Sequence, residues 1–278
     1  MKHDITRSLI SFSLLFSVIW MTLATSPAQA GDVLKLGGSG SCLGTMQLLA
    51  VAFQKSHPDV QITVVPSLGS SGGIKAVSAG ALDIGLSARP LKEDERRLGV
   101  TAIEYGRTPF VIATASSNYA SGITTAQLEN IYAGKLTTWP DGKPLRLVLR
   151  PASESDNDIL KGMSPNMRVA VSYALGRKGI AQAFTDQDNA DAIEKIPGTV
   201  GTTTLAQILA ERRALKALSL NGATASPETI AGGNYPYYKT LFMVTSSEAK
   251  PLAREFVTFV RSQEGRAILI QNGHWATE

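Results

Sequence analysis

From residue 33 onward the chain alternates short apolar or β-branched runs with amphipathic stretches, separated by small and polar residues. Val33–Leu36 reads as a strand that runs into Gly37-Gly38-Ser39-Gly40-Ser41, and a helix follows from about Leu43 to Lys55. Val60–Val65 reads as a second strand, running into Gly69-Ser70-Ser71-Gly72-Gly73 and a helix that starts near Ile74. Leu82–Leu86 is a third, ending in Ser87-Ala88-Arg89-Pro90 before a charged helix over Lys92–Leu98. Three times, a strand feeds a turn of small residues and then a helix start. This periodicity predicts an α/β fold with mainly parallel sheet.

Phe110–Ala115 is a further strand, followed by the polar stretch Ser116–Thr125. Beyond it the pattern predicts helices over Thr125–Tyr132, Asp156–Lys161, Asn166–Leu175, Asp188–Glu194 and Thr203–Ala210, with strands at Leu145–Leu149, Gly198–Gly201 and Leu215–Leu220. After the Gly232-Gly233-Asn234-Tyr235-Pro236 turn come a strand, Leu241–Thr245, and two closing helices, Lys250–Val260 and Glu264–Gln271. The expected organisation is two lobes joined by crossings near residues 113–120 and 230–238. Residues 31–115 with 236–278 form a discontinuous first lobe, and 116–235 an inserted second one.

The first thirty residues follow another logic. Lys2 and Arg7 precede an apolar run from Leu9 to Leu23, and Ser26-Pro27-Ala28-Gln29-Ala30 supplies an A-x-A site. That order is a secretory signal peptide, removed on export to the periplasm. The run is short for a bilayer span, and Cys42, the only cysteine, lies too far inside the chain to carry a lipid next to the cleavage site. Removal of residues 1–30 takes Lys plus Arg from 27 to 25 and Asp plus Glu from 23 to 22, leaving a charge of +3. No basic run is long enough for a nucleic-acid patch. A mild positive field suits a protein that collects anions. With one cysteine there is no internal disulfide, so stability rests on burial, for which 248 residues suffice.

In open α/β sheets, ligands sit at the carboxyl ends of strands. The turns at Ser39-Gly40-Ser41-Cys42 and Ser70-Ser71-Gly72, with Ser87 and Arg89 at the third, combine helix-start N–H groups, hydroxyls and glycine backbone. Together these make an uncharged anion cradle; taken singly, each is equally an ordinary cap or turn. Arg150 ends a strand ahead of Pro151-Ala152-Ser153-Glu154-Ser155-Asp156, where it either clamps an oxyanion with Ser153 and Ser155 or pairs with Glu154 or Asp156. Gly69–Gly73 also fits G-x-S-x-G, which admits a serine hydrolase with Ser71 as nucleophile and His274 as base. Neither zinc spacing nor a G-x-x-x-x-G-K-[ST] loop is present in the sequence, and no cofactor is expected.

The three turns, the segment "LENIYAGKLTTW" at Leu128–Trp139, Arg150 and Tyr235-Pro236 to Thr245 together resemble the phosphate-binding proteins of bacterial phosphate ABC transporters, which have the type II periplasmic-binding-protein fold. The resemblance implies two α/β lobes closing on a small oxyanion, no catalysis, delivery to an ABC transporter permease, and a monomer. It places Ser41 and Cys42 in the first donor turn, Ser70 in the second, Ser87 beside the third, and Arg150 as the anion clamp. The chain departs from the family in two places. Ala88 stands where the family has an Asp that accepts the ligand's proton, and Ser153-Glu154-Ser155-Asp156 replaces a Gly-Ser-Gly-Thr type run. The sequence therefore leaves the identity of the oxyanion open, together with a second reading as a periplasmic sensor or adaptor with altered or lost ligand binding.

Overall fold

The computed structural model describes residues 32–276; the expected signal peptide, residues 1–30, lies outside the described residues. In chain order the first elements are β1 (Val33–Gly38), α1 (Gly40–Ser56), β2 (Gln61–Val64), α2 (Gly69–Ser78), β3 (Ile84–Ser87), β4 (Val100–Ala115), β5 (Gly122–Ile123) and α3 (Thr125–Tyr132). Next come β6 (Arg146–Leu149), α4 (Ser155–Met163), α5 (Pro165–Gly176), β7 (Ala181–Gln182), α6 (Asp186–Lys195), β8 (Thr199–Thr204) and α7 (Leu205–Ala210). The chain continues with β9 (Leu215–Ala217), β10 (Ser219–Leu220), α8 (Pro227–Ala231), β11 (Tyr238–Ser246), α9 (Pro251–Val260), α10 (Gln263–Gln271) and β12 (Trp275–Ala276).

The larger sheet runs β2-β1-β3-β11-β4-β8-β6-β7. Its two ends are parallel: β1 with β2 and β3, and β6 with β7 and β8. Its middle is antiparallel, because β4 and β11 are two long passes lying side by side in opposite directions. β4 is sixteen residues long where the pattern predicted only its last stretch, Phe110–Ala115. Along it the partner changes: residues 100–109 pair with β11, and Phe110–Thr114 pair with β8. That exchange falls at Pro109–Phe110, ahead of the crossing expected near residues 113–120.

Two apolar cores flank the exchange. One gathers Leu34, Leu36, Met46, Leu49, Phe53, Ile84, Leu86, Leu241, Met243 and Phe256. On α1 the inward residues Met46, Leu49, Ala50 and Phe53 keep the three-and-four spacing of a helix face. On α9, Ala253, Phe256, Val257 and Val260 do the same, and Phe53 meets Phe256 edge-on at 5.3 Å. The other core gathers Phe110, Ile112, Leu128, Ile131, Trp139, Val148, Leu160, Val171, Ile193 and Val200. Polar atoms within it are paired: Trp139 Nε1 donates to the Gly198 carbonyl at 2.9 Å, and Tyr235 Oη to that of Phe110 at 2.8 Å.

Two helix starts differ from the pattern. The Gly69-Ser70-Ser71-Gly72-Gly73 run is not a loop before α2 but its first turns. The charged helix expected over Lys92–Leu98 shrinks to a 3-10 turn at Glu95–Leu98. There the Glu95 carboxylate is drawn back onto Arg89 and the Lys92 N–H.

Candidate functional site

The three turns do different work. Ser39 caps α1 in extended conformation, its N–H donating to the Leu86 carbonyl at 2.8 Å. This delivers Gly40, Ser41 and Cys42 as the first helical residues, all buried. Cys42 lies in the core beside Tyr105, and burial pushes its thiol up to about 12, so the sulfur stays protonated. The second and third turns bind each other. Ser70 Oγ accepts from the Ala88 N–H at 3.1 Å, and Ser71 Oγ accepts from Arg89 Nη2 at 2.7 Å. Ser87 Oγ donates to the Arg89 carbonyl at 2.6 Å. Arg89 itself forks onto both oxygens of Glu95, each at 2.7 Å, and this bidentate bond holds the Glu95 carboxyl at about 2. A Cβ on Gly72 would lie 2.9 Å from that of Leu68, so it sits against its own turn. Arg89, Ser70, Ser71 and Ser87 thus form a brace between α2 and the end of β3.

A second cluster is where charge converges. Arg150 leaves β6 almost fully buried and donates to the Ala183 carbonyl at 2.7 Å. Its Nη2 lies 3.3 Å from Glu154 and 3.7 Å from Asp186, while its Nε is buried with no partner. Lys239, on β11, reaches into the same place. It pairs with Asp156 Oδ1, lies 4.0 Å from Asp186 Oδ1 and donates to Ser41 Oγ at 3.4 Å. Ser41 Oγ in turn donates to Asp186 Oδ1 at 3.0 Å, and Thr202 Oγ1 donates to Asp156 Oδ2 at 2.7 Å. Gln187 Nε2 donates to the Gly40 carbonyl at 3.0 Å. A Cβ on Gly40 would lie 2.7 Å from the Asp186 side chain, so glycine there is what lets α6 approach the start of α1.

Electrostatics explain how two cations stay buried. Burial works against both members of the Lys239–Asp156 pair. Asp156 and Asp186 nevertheless hold Lys239 above its ordinary value, and Lys239 and Arg150 hold Asp156 below its own. Glu154 is raised, by burial first and then by the neighbouring carboxylates.

Of the residues singled out in the sequence, the structure brings together Gly40, Ser41 and Arg150, with Ser39 and Cys42 one residue away. Ser70, Ser71, Ser87 and Arg89 belong to the brace. Ser153 is exposed on the turn before α4, and Ser155 opens that helix half-buried. Lys239 and Asp186 escaped the sequence reading. Beside the cluster, a cavity of ≈ 860 Å³ is lined by Leu43, Val65 and Pro66 on one side and Thr185, Glu211 and Arg213 on the other. Ser71 and His274 serve separate structures: Ser71 is tied to Arg89, while His274 is buried beside Tyr105 and bonded to the Leu269 carbonyl. Among the described residues no group of three or more His, Cys, Asp or Glu is arranged to hold a metal ion.

A family model described as the PBP superfamily domain matches residues 24–264. The chain belongs to the PBP superfamily. The phosphate-binding protein PstS of Bacillus subtilis is 26% identical over 261 residues, covering 90% of this chain and 83% of its own. Protein SphX of Synechococcus elongatus is 28% identical over 255 residues, covering 82% and 73%. A Clostridium perfringens structure described as a phosphate ABC transporter substrate-binding protein with bound phosphate matches at a TM-score of 0.75 and 22% identity, covering 89% of this chain and 100% of that one. These PBP relatives bear out the resemblance drawn from the three turns, and the two-lobed α/β fold expected from the sequence is the fold observed.

Proposed function

We propose that this chain is an exported, periplasmic solute-binding protein that captures a small oxyanion, phosphate first among the candidates, for an ABC transporter permease. The observation that carries this reading is the convergence of Ser41, the start of α1, Arg150 and Lys239 on one buried point between the two cores. Hydroxyl, backbone N–H and guanidinium donors gathered out of water are what a desolvated oxyanion requires. The relatives named for phosphate binding support the choice of ligand. Residues 1–30 serve as the export signal. The lobes divide near Pro109–Phe110 and again near residues 236–238, and the protein acts as a monomer that performs no chemistry on its cargo. No helix among the described residues is long and apolar enough to cross a membrane.

One observation favours the second reading, a sensor or adaptor of the same fold. Glu154, Asp156 and Asp186 already face the two cations. The test is a thermal-shift and calorimetric screen of the chain from residue 31, which forms one compact unit, after removal of carried-over anion. The panel is phosphate, sulfate, tungstate and molybdate. Phosphate at about 100 times its Kd is expected to stabilise the fold by about 2.7 kcal/mol, and Arg150→Ala to abolish the effect. A flat response across the panel selects the sensor.

A further inference from the structure

Within the cluster the three carboxylates are held unequally. Asp156 is fixed at both oxygens, by Lys239 and by Thr202. Glu154 sits at the edge of the cluster, with 28% of its side chain exposed. Asp186 has one hydrogen bond within reach, from Ser41 Oγ at 3.0 Å, and its two cations stand off at 3.7 and 4.0 Å. It nevertheless occupies the point that Ser41, the start of α1, Arg150 and Lys239 all face. The first turn of α1 has no acidic residue of its own, and Ser39 makes no side-chain cap. Asp186, reaching across from α6, is therefore the anion at that helix start. Two buried polar atoms beside it lack partners, Arg150 Nε and Gln187 Oε1.

We propose that Asp186 is a resident carboxylate occupying the oxyanion position, and that cargo binds by displacing it. This rests on the oxyanion-binding reading above for the identity of the cargo, but not for the occupancy itself. Two cations already face three carboxylates, so a further anion added alongside Asp186 would bring uncompensated negative charge into a buried site. Displacement removes one carboxylate as the cargo arrives and offers Arg150 Nε a partner. The loose contacts of Asp186, against the doubly bonded Asp156, make it the group that yields. Asp186 thereby sets the threshold concentration at which the protein loads, and discriminates against weakly held anions that cannot outcompete it.

The experiment compares the wild type, Asp186→Asn and Asp186→Ala by calorimetry with phosphate and by thermal shift with sodium formate, using sodium chloride at equal ionic strength as control. Both variants are expected to bind phosphate at least about tenfold more tightly than the wild type, a difference of about 1.4 kcal/mol. Formate, a free carboxylate, is expected to stabilise Asp186→Ala by entering the vacated position and to leave the wild type unmoved. Where the wild type binds phosphate, binding that is unchanged or weaker in both folded variants overturns the proposal. So does formate acting on Asp186→Ala no more than on the wild type. If formate rescues Asp186→Ala while phosphate binds to none of the three, the resident carboxylate stands and the phosphate reading falls.

Discussion

Lys239 carries its charge into a site that is almost wholly buried, and only the carboxylates facing it make that tolerable. A buried pair is worth little against two well-packed apolar residues, but breaking it from one side strands the other charge. Lys239→Met is therefore expected to cost about 3–5 kcal/mol, measured by urea denaturation. Adding Asp156→Leu to it should recover most of the loss. A single variant within about 1 kcal/mol of wild type, the size of an exposed pair, would show that water reaches the cluster. Lys239 was legible in principle. It keeps the two-residue phase of Leu241 and Met243, the inward positions of β11, and a lysine in that phase announces a buried partner. Asp186 was also within reach. Thr185 and Asp188 form a capping box that starts α6 at Asp186, where the apolar pattern alone set the start two residues later. What the sequence does not contain is which carboxylate faces which cation, since Asp156 and Asp186 come from different helices.

At the scale of elements, the small-residue turns were read as donor turns, and one of them is also a packing device. A Cβ on Gly73 would lie 2.7 Å from Gly38 Cα and 2.9 Å from the Gly37 carbonyl oxygen. Helix α2 thus docks backbone against backbone on β1, while its Ser70 and Ser71 hydroxyl oxygens accept from the Ala88 N–H and from Arg89. Any side chain at 73 must lever α2 off the sheet. Gly73→Ala is expected to destabilise by about 1–3 kcal/mol. Gly162, exposed near the end of α4 with open space where a methyl would sit, gives the opposite result. Gly162→Ala should stabilise by about 0.4–1 kcal/mol. Both are read as midpoint shifts in urea at constant slope. The Gly-Ser-Ser-Gly-Gly pattern is compatible with cradling an anion and with close helix–sheet docking, because both need a bare backbone. Only the position of the neighbouring strand separates the two.

Across the whole molecule, the two cores are stitched by a joint at the middle of β4. Thr108 Oγ1 donates to the Gly273 carbonyl and accepts from the Ala206 N–H, each at 3.0 Å, linking the C-terminal segment to α7. The apolar pattern announced a strand beyond this joint but not the joint itself, since the sixteen residues of β4 change partner without a turn or a break in the strand. Pro109, which has no N–H to give a ladder, was the one mark of it in the sequence. His274 follows Gly273 directly in the chain, fully buried, and burial holds its pKa down at about 4 from an ordinary 6.5. The folded protein refuses a proton that the unfolded chain accepts, so the stability present above pH 6.5 is lost as pH falls towards 4. The loss is on the order of 3 kcal/mol at 1.36 kcal/mol per pH unit. Glu95 has a lower window. Its carboxyl, held at about 2 by Arg89 from an ordinary 4.5, contributes stability that is complete above pH 4.5 and is lost as pH falls towards 2. The windows adjoin and hardly overlap, so the acid limb of the stability curve is expected to fall in two stages, first at the joint and then at the α2–β3 brace. Chemical denaturation at pH 7, 5, 4 and 3 resolves them. His274→Leu should flatten the curve between pH 6.5 and 4 and leave the lower stage in place, while Glu95→Gln should lower stability at pH 7 and remove the lower stage. If His274→Leu retains the slope between pH 6.5 and 4, another group carries it; His57 is not that group, because the Phe53 carbonyl and Glu255 raise its pKa and its protonation stabilises the fold as pH falls.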